Sequence, residues 1–473
     1  MLRRNDESML TSRLSFEHLP KAEAIARSPF KGGYQMTLKS LMLGACSTLA
    51  LASVAQAQST TLTIATVNNG DMIRMQSLTD DFTSKNPDIQ LQWVTLEENV
   101  LRERVTTDIA TKGGQYDVMT IGNYEVPIWA KQGWLLPLDN LGDNYKVDDL
   151  LPSIRSGLTY EGKLYAAPFY GESAMIMYRT DLFEKAGLTM PEDPSWEFIA
   201  DAARKITDRD NNISGICLRG KAGWGENMAF LTALTNSFGG RWFDENWQPQ
   251  FDQPEWKEAL QFYVDLMKDA GPSGASSNGF NENLTLFQQG QCGMWMDATV
   301  AASFVSDPDN STVADKVGYA IFPSKEGVDN NGNWLWSWNL AVPAGSSKAE
   351  AAQKFIAWAT SQEYTELVAD KEGWAAVPPG TRTSLYENEE YLKEPFAQPT
   401  LNAIQAANIT EPSVKPVPYT GGQFVAIPEF QGLGTTVGQL FSAALAGQSS
   451  VDDALAQAQQ VSVREMTRAG YIK

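Results

Sequence analysis

The 473-residue chain contains a single histidine, His18. It has three cysteines, Cys46, Cys217 and Cys292, and only 37 Lys and Arg against 57 Asp and Glu. No apolar run is long enough to cross a bilayer comfortably. Each shortage excludes something. His18 falls within the N-terminal 57 residues expected to be removed on export, so the mature chain is expected to have no imidazole general base, no Ser-His-Asp triad and no His-ligated zinc. Without a cationic excess, nucleic acid and anionic membrane surfaces are poor partners. No P-loop or Gly-rich dinucleotide fingerprint appears, and the Cys/His groups of a metal cluster are absent. No cofactor or metal is implied.

What is there begins with an export signal. Residues 36–57 read MTLKSLMLGACSTLALASVAQA. Lys39 supplies the positive start, 41–54 the short apolar stretch, and Ala55-Gln56-Ala57 the small-x-small cleavage site. The 35 polar residues before Met36 are out of place ahead of such a signal, so translation is expected to start at Met36. Leu43-Gly44-Ala45-Cys46 resembles a lipid-attachment box. The apolar stretch before Cys46 is very short and continues past it, which favours cleavage after Ala57 over lipidation. Removing 1–57 takes away seven Lys/Arg and four Asp/Glu, leaving 30 against 53 and a net charge of −23; His18 goes too. Cys217 and Cys292 remain. In an exported chain they are either a disulfide or two buried thiols, and spacing alone does not decide.

From Thr61 the pattern alternates. Residues 62–67, 89–94 and 117–121 are β-rich; 72–84 and 100–110 carry apolar residues at helical spacing. Alternation of this kind predicts βαβ units and a parallel sheet, hence an α/β fold. Ligands of such sheets collect beyond the carboxyl ends of the strands. The turns there hold Asn69, Glu98, Asn123 and Tyr124. Residues 164–169 and 174–178 are two more apolar runs. Tyr170, Gly171, Glu172 and Ser173 lie between them. A carboxylate and a hydroxyl at that place are costly to bury unless something pairs with them. They are either a surface turn or a crossover facing a ligand.

Further along, Ser195 should cap a helix to about Ile206, and 216–219 should form a short strand. Residues 207–214 space Asp208, Asp210 and Asn212 like a calcium loop, but Ile213 replaces the required Gly and Arg219 the closing Glu, so a turn is expected. Trp224 and Glu226 sit in a Gly-rich stretch. Residues 228–238, 254–269, 346–360 and 451–466 read as helices. A strand at 294–296 ends at Asp297, and 317–322 is a further strand. Trp334, Trp336 and Trp338 alternate, which would place three indoles on one face. Any single tryptophan is more often core than ligand platform. Gly171-Glu172-Ser173-Ala174-Met175 starts like a nucleophile elbow but lacks the last Gly. Glu98, Glu172, Glu226 and Asp297 could supply a glycosidase carboxylate pair. The remaining chemistry is recognition of a hydroxyl-rich ligand by carboxylate, Asn and Arg groups.

One stretch carries a wider likeness. Gly162-Lys163-Leu164-Tyr165-Ala166-Ala167-Pro168, then Glu172, then Met177-Tyr178-Arg179-Thr180-Asp181-Leu182-Phe183 resembles the extracellular solute-binding proteins of sugar ABC transporters, in the maltose-binding-like group. GQCGMWMDAT at 290–299 and GWAAVPPGTR at 373–382 extend it over essentially the whole mature chain. ICLRGKAGWGENMAF at 216–230 and FNENLTLFQQGQCGMWMDATVAASF at 280–304 are most similar to the hexitol (sorbitol and mannitol) binders. The resemblance implies a two-lobed periplasmic-binding-protein fold of type II with the ligand cleft between hinged lobes. Lobe one would hold 58–169 and 323–372, and lobe two 173–316 and 373–473. Hinge crossings would lie near 170–172 and 317–322. It implies Asn69, Glu98 and Asn123 on one wall, Glu172 at the first crossing, and Asp297, Trp374 and Arg382 opposite, with Trp224 and Glu226 nearby. Tyr124, Tyr170, Ser173, Trp336 and Trp338 join them from the pattern of residues. The implied protein is a periplasmic monomer that is not an enzyme and that hands a polyol to permease subunits in the inner membrane. A mono- or oligosaccharide binder and an exported carboxylate-dependent glycoside hydrolase are the alternatives.

Overall fold

The computed structural model describes residues 59–473. The export signal, Cys46 and the expected start at Met36 lie outside those residues. Among the described residues ten strands are present: β1 Thr60–Val67, β2 Ile89–Leu96, β3 Val118–Gly122, β4 Thr159–Tyr160, β5 Lys163–Leu164, β6 Ala166–Glu172, β7 Ala174–Arg179, β8 Met294–Ala298, β9 Val317–Ile321 and β10 Trp336–Ala341. A five-stranded sheet runs in the order β2-β1-β3-β10-β6, and a three-stranded one in the order β8-β7-β9. β1 pairs parallel with β2 and β3, whereas β10 is antiparallel to both β3 and β6. The second sheet is antiparallel throughout. β4 and β5 form a tight hairpin whose two turn residues, Glu161 and Gly162, both have positive φ, the geometry that matches strand twist.

The chain passes from one sheet to the other with Ser173 as the sole connecting residue. Tyr170, Gly171 and Glu172 therefore continue β6 rather than forming a turn. The return runs through 322–335, between β9 and β10. Residues 317–321 form a strand of the second sheet, as the sequence pattern predicts.

Three expectations are corrected. The helix expected over 72–84 is two helices, Gly70–Ser77 and Thr79–Lys85. The hydroxyls of Ser77 and Thr79 donate to the carbonyls of Arg74 and Gln76 and compete with the helical ladder at the break. Ser346 does not cap a helix. It donates to Asp117 at 2.8 Å, and the helix starts at Ala349. Residues 216–219 do not extend as a strand; Cys217 makes one isolated bridge to Trp295.

The core is aromatic. Trp196, Trp242 and Trp256 are fully buried, and each indole N–H finds an acceptor, on Ser237, Thr232 and the Arg241 carbonyl. Cys217 and Cys292 are joined in a disulfide with Cα atoms 6.0 Å apart. Ser195 caps helix Trp196–Ile206 through the Phe198 N–H. Asp208 accepts from both nitrogens of Asn211, so the calcium-like stretch closes on itself as a turn. Among the described residues no helix is long and apolar enough to cross a membrane.

Candidate functional site

A cavity lies where the two sheets meet. Its walls come from strand ends and from the loops that follow them. Asn69 follows β1. Glu98 opens helix Glu98–Thr111 after β2, where the Glu97 carboxylate caps the first N–H groups. Arg102 lies one turn on, so it shares a face with Glu98. β6 delivers Tyr170 and Glu172, and β10 delivers Trp336 and Trp338 on one face. Arg219, Trp224 and Gly225 come from the loop ahead of helix Asn227–Ser237. Phe280, Val300, Trp334 and Gln423 complete the main lining.

Two buried arginines organise the charges. Arg219 Nη2 donates to Asp297 at 2.6 Å and its Nε at 2.9 Å; Nη1 reaches the Gly225 carbonyl at 2.9 Å and Glu226 at 3.4 Å. Arg102 donates to Glu98 at 2.8 Å and lies 3.5 Å from Glu125. Lys221 bridges Glu97 at 2.5 Å. Thus Glu98, Glu226 and Asp297 each have a cationic partner. Glu172 is different. It is buried, and among the described residues no hydrogen bond or ion pair reaches its carboxylate. Burial pushes its pKa well above the usual carboxylate range; Arg219 pulls against this, and Asp297 and Glu98 add to it. Glu226 is pushed up to about 8 by burial and by Glu98, against Arg219 and Lys221. Burial and neighbouring Glu172 raise the Tyr170 hydroxyl, which stays protonated while accepting from Asn69 Nδ2 at 2.9 Å.

Other lining groups also lack partners. Trp334 Nε1 and Gln423 Oε1 are out of solvent with no hydrogen-bond partner among the described residues. Buried polar atoms are normally paired, so an unpaired donor and acceptor at one cavity mark where a ligand's polar groups would fit. A carboxyl group, an indole N–H, an amide oxygen and a phenol hydroxyl suit hydroxyl groups, which both donate and accept.

Of the expected site residues, Asn69, Glu98, Tyr170, Glu172, Trp224, Trp336 and Trp338 line this cavity. Asp297 and Glu226 stand just behind it and hold Arg219. Five others are not on the lining. Asn123 braces the start of β10, donating to the Leu335 carbonyl at 3.2 Å. Tyr124 donates to the Ile427 carbonyl at 2.6 Å and backs Trp224, ring centroids 4.9 Å apart. The Ser173 backbone carbonyl and N–H engage Thr299, and its hydroxyl is buried without a partner. Trp374 is half-buried in a short turn after helix Gln362–Glu372. Arg382 is drawn away because 379–382 packs along 150–151 and Gly171. There it meets Asp149 at 3.2 Å, the Thr360 carbonyl at 2.9 Å and the ring of Tyr145.

Arg102, Arg219 and Gln423 are lining residues that the sequence does not single out as site residues, and Trp334 stands out only as one of three alternating indoles. The Glu98–Arg102 helical spacing was a visible signal for one. Arg219 had registered only as the residue that spoils a calcium loop. Gln423 sits in a Pro/Gly-rich connection that carries no periodicity.

Strand order, the two sheet crossings and a polar cavity between the sheets define a type II, two-lobed periplasmic-binding-protein fold. The chain belongs to the bacterial extracellular solute-binding protein family, whose model matches residues 69–366. The mannitol-binding protein of Pseudomonas aeruginosa is 56% identical over 437 residues, 92% of this chain and 99% of that protein. A solute-binding protein of an ABC transporter from Agrobacterium vitis, solved with bound D-mannitol, shares 70% identity at a TM-score of 0.87, covering 88% of this chain and all of that one. A ribitol complex from Agrobacterium radiobacter has 25% identity and a TM-score of 0.75, covering 86% and 98% of the two chains.

Proposed function

We propose that the chain is the periplasmic substrate-binding component of an ABC importer and that it binds a hexitol, mannitol or sorbitol. The observation that carries this is Glu172, a buried carboxylate with no protein partner among the described residues, set among other unpaired polar groups. Ligand hydroxyls would bond to Glu172, donate to Gln423 and accept from Trp334. The mannitol ligands of the similar proteins support the choice of polyol.

Lobe closure does the work. Contacts between the strand-end turns of the first sheet and the loops opposite favour a closed form: Lys221 to Glu97 at 2.5 Å, Asn99 to the Ala222 carbonyl at 3.3 Å, and Asn281 to Asn68 at 3.4 Å. A ligand bonded to both walls favours that form further, because the open one lacks half its contacts. The lobes would divide near Ser173 and within 322–335. Closed lobes present one surface to the inner-membrane permease subunits. The chain acts as a periplasmic monomer after cleavage at Ala57, and no bond is made or broken. Three of the four carboxylates that could serve a hydrolase are tied to Arg or Lys, which leaves one free acid where two are needed.

Thermal unfolding with mannitol, sorbitol, glucose and maltose in turn tests the ligand class. A hexitol should raise the midpoint most, in proportion to the logarithm of its concentration above Kd. A larger shift with maltose contradicts the polyol reading. Release of aglycone from aryl glycosides contradicts the binding role itself.

A further inference from the structure

The indole faces that could carry a sugar ring are already occupied by the chain's own Arg102. Its guanidinium carbon lies 4.1 Å from the ring centroid of Trp224, 4.7 Å from Trp336 and 4.6 Å from Trp338. Trp336 and Trp338 stand 5.5 Å apart at 81°, and Trp224 and Trp336 5.8 Å apart at 68°. The three rings box the cation in. Glu98 and Glu125 hold it there, and Glu125 is itself fixed by the Gly122 N–H at 2.9 Å and Gln431 at 3.0 Å. Gly225 makes room for the arrangement. A Cβ there would lie 2.6 Å from Glu98 Oε1 and 2.8 Å from Arg102 Nη2.

An aromatic face attracts a cation or the C–H patch of a pyranose over the same area, and one occupant displaces the other. We propose that Arg102 sets a preference for acyclic polyols over cyclic sugars by filling the indole box on which a ring would stack. The proposal rests on the polyol reading above. What remains for a ligand is the hydrogen-bonding wall of Glu172, Tyr170, Trp334 and Gln423. A flexible row of hydroxyls reaches those groups in turn. A ring offers C–H faces as well, and the partner for those faces is taken.

The test compares D-mannitol with 1,5-anhydromannitol, the same carbons closed into a six-membered ring, by calorimetry. Arg102→Ala leaves Glu98 and Glu125 without their cation and so threatens folding. Arg102→Ala/Glu125→Gln removes one of those charges and is measured beside it, with thermal unfolding to check each variant. The wild-type chain should prefer mannitol by about 100-fold or more, since a site built for hydroxyls rejects analogues that lack them. In a folded variant that preference should fall by roughly tenfold or more, as the ring gains indole faces. A wild-type preference within about threefold overturns the role of Arg102, whether or not the variants fold. So does a folded variant that loses affinity for both ligands equally. In either case mannitol still binds and the polyol reading stands. Binding of neither ligand to the wild-type chain overturns the polyol reading, and this inference with it.

Discussion

Glu172 is the residue on which the site turns. Its carboxyl group is buried without a protein partner among the described residues, so a ligand hydroxyl would gain a hydrogen bond there at little competition. Glu172→Ala should weaken mannitol binding by about 10- to 100-fold, and Glu172→Gln by less, because the amide still accepts. Titration calorimetry reads both. This residue was legible in the sequence, because a carboxylate between two apolar runs has no cheap place to go. Arg382 was expected on the ligand wall from the resemblance alone, and its pairing with Asp149 off the cavity was not foreseen. Asp149 lies 233 positions away, and only the packing of 379–382 against 150–151 brings them together. The pairing of Arg219 with Asp297 is equally non-local, at 78 positions.

Glu226 carries a second residue-scale consequence. Its pKa in the folded chain is about 8, against an ordinary value of 4.5. The folded state therefore binds the proton more tightly than the unfolded chain between those limits. Stability should fall as pH rises from about 4.5 to 8 and level off above. Asp71, pushed up to about 6 mainly by burial, adds the same sign over its lower window. Denaturant unfolding across this range should show the decline, and Glu226→Gln should flatten the part above pH 6. A stability that rises through pH 7 in the unmodified chain contradicts this account of Glu226.

At the scale of elements, β6 and β7 join two sheets through one residue. That crossing needs Gly171. A Cβ there would run into the Gly380 carbonyl and approach Ile154 Cδ1 to 2.9 Å. Backbone cannot yield as a flexible side chain does, so Gly171→Ala should cost about 1–3 kcal/mol of stability, measured by denaturant unfolding. The α/β alternation of the first 65 or so mature residues was readable from period alone, because β1 and β3 are mostly buried strands, β2 is a half-buried edge strand, and helices lie between them. The sheet order was not. β10 inserts between β3 and β6 after more than two hundred residues, and its Trp-Ser-Trp pattern fits a core strand as well as a ligand platform. Helices Phe430–Leu445 and Ala397–Ala406 were not foreseen. The first is rich in Gly and small residues, and packing against its neighbours, rather than propensity, holds it.

At the scale of the whole molecule, the two-lobed fold places a polar cavity between the sheets, and the proposed mechanism is closure of the lobes on a ligand bonded to both walls. The resemblance carried by 162–183 implies that fold. The ligand class rests on chemistry that periodicity cannot show: one free carboxyl group, an unpaired donor and acceptor at the cavity wall, and indoles already engaged by Arg102. The central claim is tested most directly by titrating the mature chain with D-mannitol in a calorimeter, with maltose as the parallel titrant. The prediction is saturable binding of one mannitol per chain and affinity for maltose at least about 100-fold weaker. Tighter binding of maltose, or no heat with any hexitol, would contradict it.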